Sequence, residues 1–280
     1  MHYAVTGASG FLGQAIVPAL RARGHPVVLL DRATIGDIAV FTGWAAHLEG
    51  ADAVVHLAAH AHSRVGDGSR LRAVNVEAAL ALGKAAAAAG VKMLFMSSIK
   101  VLGEETAERP YDESSPHAPQ DAYGRAKAEA EIALRSVPGL SLTVLRPPLV
   151  YGPGVKANFR ALMRALVRGW PLPFASIVNR RSLVYAGNLA HAVVHCLESP
   201  LAAGKTYGVT DGAPLATTDL CRALGAALGR PARLFSFPPA LLDLAPPARK
   251  LTRSLEVDDG ALRRELEQRG RKRKQPRRPA

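Results

Sequence analysis

A glycine triplet near the head of the chain constrains the fold more than any other feature. The segment Thr6-Gly7-Ala8-Ser9-Gly10-Phe11-Leu12-Gly13 follows an apolar run at residues 2–5. It opens a stretch, residues 11–23, with helical spacing that stops at Gly24. The order strand, glycine turn, helix gives each glycine a job: one turns the chain tightly, one admits a diphosphate close to the backbone, one lets helix and strand touch. The helix N-terminus adds free N–H groups and the positive end of the helix dipole. Gly7, Gly10 and Gly13, with Phe11 and Leu12 in the same turn, are therefore predicted to cradle a dinucleotide.

The rest of the first half repeats this grammar. Aliphatic runs at residues 27–30, 53–57, 92–96 and 140–145 have the continuous hydrophobicity of strands buried on both faces. Helical segments lie between them: the Ala-rich residues 76–89, closed by Gly90, and a helix starting near Tyr123. Alternating strands and helices predict an α/β fold with a doubly wound parallel sheet of the Rossmann kind. Past Pro147 prolines and short helices break the pattern. The expected division is a dinucleotide-binding domain at 1–150, a smaller substrate lobe at 151–262 and a basic, disordered tail at 263–280.

Asp31 closes the second strand 18 residues after Gly13. A carboxylate there can hold the adenosine ribose hydroxyls, which favours NAD, whereas Arg32 could meet the 2′-phosphate of NADP. NAD is the expected cofactor, with NADP as the alternative.

Composition removes several other classes. The formal charge is +13, but seven cations and no acid lie in residues 269–278, which leaves +6 for the remainder. The excess thus belongs mainly to a solvated tail, and no specific nucleic-acid partner is expected. Cys196 and Cys221 are too few to staple 280 residues and lack metal-site spacing. Cys196 sits in an apolar run and reads as an inert buried thiol. No stretch reaches the ~20 apolar residues of a membrane span; the first strand is expected to begin at residue 2, and no leader is expected. A cytoplasmic protein is expected.

Tyr123 and Lys127 stand four apart, hence on one helical face. A tyrosine of ordinary pKa near ~10 is a poor base, but a neighbouring cation favours phenolate. Ser97-Ser98 ends the 92–96 strand, and Ser98 would bring a hydroxyl to the same crevice. Ser98, Tyr123 and Lys127 are the candidate catalytic residues, with the phenol moving a proton as hydride moves.

These residues resemble the extended short-chain dehydrogenase/reductase family, in its nucleotide-sugar epimerase/dehydratase branch. The resemblance covers roughly residues 2–260. It rests on the glycine turn, His56-Leu57-Ala58-Ala59, Asn75, Ser97-Ser98, Tyr123 with Lys127, and Arg146-Pro147-Pro148-Leu149-Val150-Tyr151-Gly152-Pro153-Gly154. It implies that Asp37 and Ile38 border the adenine, that Leu57, Ala58, Ala59, Asn75 and Pro147 line the cofactor, and that Lys127 also holds the nicotinamide ribose. For the substrate it implies that Asn158 and Arg181 bind the diphosphate of a sugar nucleotide beside Ser98 and Tyr123. Residues 171–174 look like a strand whose backbone meets the uracil. Members often dimerise through two helices per subunit, here the Ala-rich helix and the Tyr123 helix, so a homodimer is expected.

Departures from the pattern bear on the reaction. Sugar 4,6-dehydratases carry an Asp-Glu pair after the catalytic hydroxyl residue, and this chain has Ile99 and Lys100. That argues against dehydration. The segments 97–104 and 179–184 look closer to reductases of nucleotide-sugar 4-uloses, the leading expectation. A UDP-hexose 4-epimerase is the alternative, and a non-catalytic NAD(P)-binding sensor the remote one. Only a few residues separate Arg32 from Asp37, where the family usually inserts a helix and its connections, so that crossover is expected to be lost or replaced.

Overall fold

A computed structural model describes residues 1–61 and 68–266. Six parallel strands make the main sheet: β1 (Tyr3–Thr6), β2 (Val27–Leu30), β3 (Ala53–His56), β4 (Lys92–Met96), β5 (Leu142–Arg146) and β8 (Thr206–Gly208), in the order β2-β1-β3-β4-β5-β8. A second, two-stranded parallel sheet pairs β6 (Leu149–Tyr151) with β7 (Leu183–Tyr185). The strands are short and mostly buried, and their side chains alternate between two cores as the pleat requires. Tyr3 and Val5 face one core while Ala4 faces the other; Leu94 and Met96 face the first while Met93 and Phe95 face the second.

The first core is closed by α1 (Gly13–Ala22) and α8 (Ala186–Glu198), through Ile16, Val17, Leu20, Leu189 and Val193. The second is closed by α3 (Trp44–Leu48), α5 (Ala78–Ala88) and α6 (Ala122–Arg135). Small residues on α5 do more than satisfy helix propensity. At Gly83 a Cβ would stand 2.4 Å from a Leu134 methyl, so its absence lets α5 and α6 approach closely.

The crossover after β2 is indeed replaced. Between β2 and β3 stand only α2 (Arg32–Ile35), a loop and α3. Among the described residues no strand pairs on the outer side of β2, which forms the sheet edge. Trp44, Leu48 and Ile35 are buried against Val54 and Ala4, and Phe41 meets Trp44 edge to face at 4.7 Å. Phe41 and Trp44 thus pack on the second core in the short β2–β3 connection.

The chain does not change lobes once at residue 150. α8 packs on α1 and β8 completes the main sheet beside β5, so the segment 186–208 returns to the first domain. The substrate lobe proper has its own core between α7 (Ala157–Val167) and α9 (Thr217–Ala227), built from Leu162, Leu166, Phe174, Ile177 and Cys221. Residues 260–266 are helical rather than tail-like. Leu262 joins the first core, and buried Glu265 accepts hydrogen bonds from Ser199 at 2.7 Å and from Tyr207. The basic tail expected beyond them lies, from 267 onward, outside the described residues. Among the described residues no helix is long and apolar enough to cross a membrane.

Candidate functional site

The carboxyl ends of the main strands carry the glycine turn, and its geometry tests the expected cradle. A Cβ on Gly13 would lie 2.1 Å from the Ala8 carbonyl oxygen, and one on Gly7 would lie 2.7 Å from the Ala58 nitrogen. Both glycines are therefore dictated by backbone packing. Gly10 differs, because its Cβ would meet only the Gly7 oxygen, at 3.1 Å. Gly10 lines the adjoining cleft, where a bound diphosphate needs backbone without a side chain. The N–H groups of Phe11, Leu12 and Gly13 have no acceptor among the described residues, and Leu12 provides no side-chain cap for α1. A helix start with orphan donors facing a cleft fits an anionic cofactor.

That cleft, about 430 Å³, is lined by Gly7, Gly10, Asp31, Arg32, Asp37, Ile38, Leu57, Ala58 and Ala59 among others. Nine of the sequence-predicted cofactor residues thus share one wall. Asp31 turns out to have a second job. Its Oδ1 accepts from the Ala33 and Thr34 N–H groups at 3.0 and 3.3 Å, closing a capping box at the start of α2. Its Oδ2 has no partner among the described residues and is the oxygen left for a ribose. Asp37 receives a bidentate pair from Arg70 at 2.5 and 2.8 Å, whose hydrogen bonds hold that carboxyl below its ordinary value. Arg70 was not singled out in the sequence, since nothing local marks it.

Asn75 does not point at the cleft as a loose ligand. It is fully buried in a π-helical turn, Ala73–Glu77, and clasps the His60 backbone: Oδ1 accepts the His60 N–H and Nδ2 donates to its carbonyl, both at 3.0 Å. The helix expected from residue 76 therefore begins earlier, at α4 (Gly68–Arg72), and runs through that turn into α5. Pro147 is buried, and its carbonyl accepts the Ile99 N–H at 3.0 Å. His56 is buried beside Phe95; its Nδ1 meets Thr6 Oγ1 at 2.8 Å, and burial pushes its pKa down to about 3, with Lys127 adding to the fall.

The first turn of α6, which carries Tyr123, closely approaches the loop that carries Ser98. Asp121 caps α6, Oδ1 accepting the Gly124 N–H at 2.7 Å, and it also pairs with Lys100. A Cβ on Gly124 would lie 2.6 Å from the Lys100 carbonyl oxygen. Glycine after Tyr123 thus lets the first turn of α6 press against the 98–100 loop. Lys100, which stands where dehydratases carry an acid, is an anchor: burial alone would lower its pKa, but Asp121 and Glu104 raise it.

Two details differ from the expectation. Ser98 Oγ accepts the Lys100 N–H at 3.3 Å and caps the 3₁₀ turn Ile99–Val101. A hydroxyl so engaged keeps its proton and one lone pair for a ligand. Lys127 is engaged by the strand end and is not among the groups that shift the Tyr123 phenol. Its Nζ donates to the Met96 carbonyl at 2.8 Å and lies 4.3 Å from the Phe95 ring centre. Burial lowers it to about 7, although Glu131 opposes the fall. Tyr123 is instead pushed up to about 12, first by burial and then by the Asp121 carboxylate.

Behind these residues lies a buried network that the sequence reading missed. Glu131 accepts from Arg146 Nε at 3.1 Å, from Arg146 Nη2 at 2.6 Å and from Ser97 Oγ at 2.5 Å, while His117 Nε2 stands 3.3 Å away. Burial would raise Glu131, but the Arg146 bonds bring it below its ordinary value. Its signal was the spacing Tyr123, Lys127, Glu131, one helical face in steps of four. On the substrate side, Asn158 is exposed in the first turn of α7. Arg181 donates to the Arg253 carbonyl at 2.7 Å, and burial lowers its pKa against the pull of Glu104. Neither lines the cofactor cleft. The segment 171–174 makes one bridge, Leu172 to Leu234, rather than a strand. Both cysteines are buried, with thiols raised by burial to about 12 at Cys196 and about 11 at Cys221, as an inert role requires.

Residues 3–209, which span the glycine turn, the Ser98 loop, Tyr123, Lys127 and the last strand, match the NAD dependent epimerase/dehydratase family. The chain belongs to that family. It is an enzyme of the NAD-dependent nucleotide-sugar epimerase/dehydratase type, with a Rossmann sheet. A UDP-glucose 4-epimerase of Vibrio cholerae is 38% identical over 250 residues, covering 81% of this chain and 76% of the relative. An N-acetyl-alpha-D-glucosaminyl-diphospho-ditrans,octacis-undecaprenol 4-epimerase of Escherichia coli O157:H7 is 29% identical over 220 residues, covering 73% and 66%. In structure, the UDP-glucose 4-epimerase of Thermus thermophilus in complex with NAD superposes with a TM-score of 0.76 at 24% identity, over 95% of this chain and 93% of that one.

Proposed function

We propose that this family member is a UDP-hexose 4-epimerase. The observation that carries the reading is the 38% identity to the Vibrio cholerae UDP-glucose 4-epimerase. The second relative is also a 4-epimerase, on a different sugar carrier. Both favour the epimerase over the 4-ulose reductase toward which the sequence leaned.

In this reading NAD+, held by the glycine turn and the Asp31 wall, would supply a hydride acceptor for C4 and, in its oxidised form, a positive charge beside Tyr123. Tyr123 takes the proton of the C4 hydroxyl and gives it back. Pushed up to about 12, the phenol rests protonated near neutral pH, and positive charge brought into the site favours phenolate. Ser98 uses its remaining proton and lone pair on the C4 oxygen. Lys127 stiffens the strand end through Met96 and turns toward the ribose. Asp31 Oδ2 takes the adenosine ribose, and Asn158 with Arg181 meets the substrate diphosphate, where a guanidinium fork suits two phosphate oxygens. A homodimer through the outer face of α6 accompanies this reading. Ile132 is 61% exposed on α6, which an apolar interface would explain.

The test is proton NMR of UDP-glucose or UDP-N-acetylglucosamine with catalytic NAD+. The galacto isomer should appear with no net change in cofactor. Nicotinamide oxidation seen only with a 4-keto UDP-sugar and NADH or NADPH would replace the epimerase by the reductase. Tyr123→Phe should bind NAD+ normally while turnover falls about 10²- to 10⁴-fold.

A further inference from the structure

The face of α7 turned away from the lobe core has a composition that the site does not use. Phe159, Leu162 and Leu166 point inward. On the other side Arg160, Arg164 and Arg168 stand in steps of four, with Lys156 one step earlier at the N-cap. Met163 and Val167 run alongside them. Together with the loop 152–155 these residues line a shallow groove of about 980 Å³ that contains four cations and no carboxylate. Val167, the last residue of the helix, is 52% exposed; just past it Trp170 is 54% exposed, and the Arg168 guanidinium lies 5.3 Å from the Trp170 ring centre.

Several exposed arginines elsewhere are spoken for: Arg23 pairs with Glu198, Arg180 with Glu256, Arg253 with Asp243 and Arg263 with Asp259. None of the four groove cations is in an ion pair among the described residues. Unpaired like charges four apart on one helix repel one another by a few tenths of a kcal/mol per pair. An opposing anionic surface removes that penalty.

We propose that this face of α7 docks on an anionic lipid bilayer. Charge complementarity selects phosphate-bearing headgroups for the arginine row. The apolar row selects a bilayer over a purely polar polyanion, because Met163, Val167 and Trp170 can reach the boundary between headgroups and acyl chains. Eleven helical residues, roughly 16 Å long, lie flat on such a surface. The +6 that remains outside residues 269–278 draws the molecule in from a distance. Docking here goes beyond the reaction at carbon 4 and does not depend on it.

The test is co-sedimentation of the full chain with phosphatidylcholine vesicles, with and without phosphatidylglycerol. Binding should require phosphatidylglycerol. The triple variant Arg160→Gln/Arg164→Gln/Arg168→Gln should partition about two orders of magnitude more weakly, at roughly a fivefold loss per cation. NAD+ binding and circular dichroism should stay as in the parent. A full-length variant with the seven basic residues of 269–278 changed to glutamine should keep most of the binding. The chain has two tryptophans, of which Trp44 is buried, so a blue shift of emission on anionic vesicles, absent in Trp170→Phe, reports insertion at this face. Binding that survives the triple variant, or is lost with the tail variant, would overturn the proposal. So would an unshifted Trp170, or equal, arginine-dependent binding to heparin.

Discussion

Lys127 Nζ and the Met96 carbonyl oxygen are 2.8 Å apart, inside a core that leaves the lysine 1% exposed. One hydrogen bond and the face of Phe95 are modest compensation for a buried ammonium. Its pKa accordingly falls to about 7. A folded pKa below the unfolded ~10.5 means that the unfolded chain binds the proton more tightly. Stability is then lost as pH falls from about 10.5 toward 7, and the loss is complete below 7.

Lys127→Met should therefore be more stable than the parent. The gain should be on the order of 2 to 4 kcal/mol at pH 6 and should shrink toward zero as pH approaches 10. Its turnover should fall by at least tenfold over the same range. Urea denaturation at a series of pH values measures the first, and the NMR assay the second. A variant less stable at pH 6 than at pH 10, relative to the parent, would show that Lys127 is held there as a structural cation.

Gly13 and Gly10 should separate packing from ligand binding. Gly13→Ala drives a methyl into the Ala8 carbonyl, at 2.1 Å, where only backbone movement relieves the clash. A loss of several kcal/mol in stability is expected. Gly10→Ala, with its nearest atom at 3.1 Å, should change stability by less than about 1 kcal/mol yet weaken NAD+ binding at least tenfold. Thermal melts with and without NAD+ distinguish the two: only Gly10→Ala should fold normally and fail to gain stability from the cofactor.

Much of this was legible before any coordinates. The glycine turn, the strand runs and the Tyr123/Lys127 pair are local signals, fixed by backbone sterics and helix periodicity. What stayed hidden depends on distant partners. Arg70 reaches Asp37 and Arg146 reaches Glu131 across the fold, and sequence spacing does not announce either. Asp31 was read as a ribose ligand, but its capping bonds to Ala33 and Thr34 appear only once α2 replaces the missing crossover. The boundary at 150 was drawn where prolines begin, whereas the hydrophobic faces of α8 and β8 find their complement back on the main sheet.

Asp31 caps α2 with one oxygen, and in the proposed reading its other oxygen is the one that meets the ribose. Serine is an equally good N-cap, so Asp31→Ser should leave stability within about 0.5 kcal/mol while removing the charge beside the ribose. The preference for NAD+ over NADP+ should drop by roughly 10- to 100-fold, with Arg32 exposed on the same wall to welcome a 2′-phosphate. Binding titrations with both cofactors measure the ratio. An unchanged ratio would confine Asp31 to its capping role.

The proposed dimer is tested at the outer face of α6. The small side chains of α5 are consumed within the subunit, where Gly83 admits Leu134, so they are not free to mediate contact between subunits. Ile132, exposed beside Glu129 and Arg135 on α6, is the apolar residue left over. If two copies meet here, Ile132→Glu places like charges across the symmetry axis, since a two-fold interface presents the same patch twice. Analytical ultracentrifugation should show the parent as a dimer and the variant as a monomer at the same concentration, with NAD+ affinity unchanged. A parent that sediments as a monomer, or a variant that stays dimeric, would move the interface away from α6.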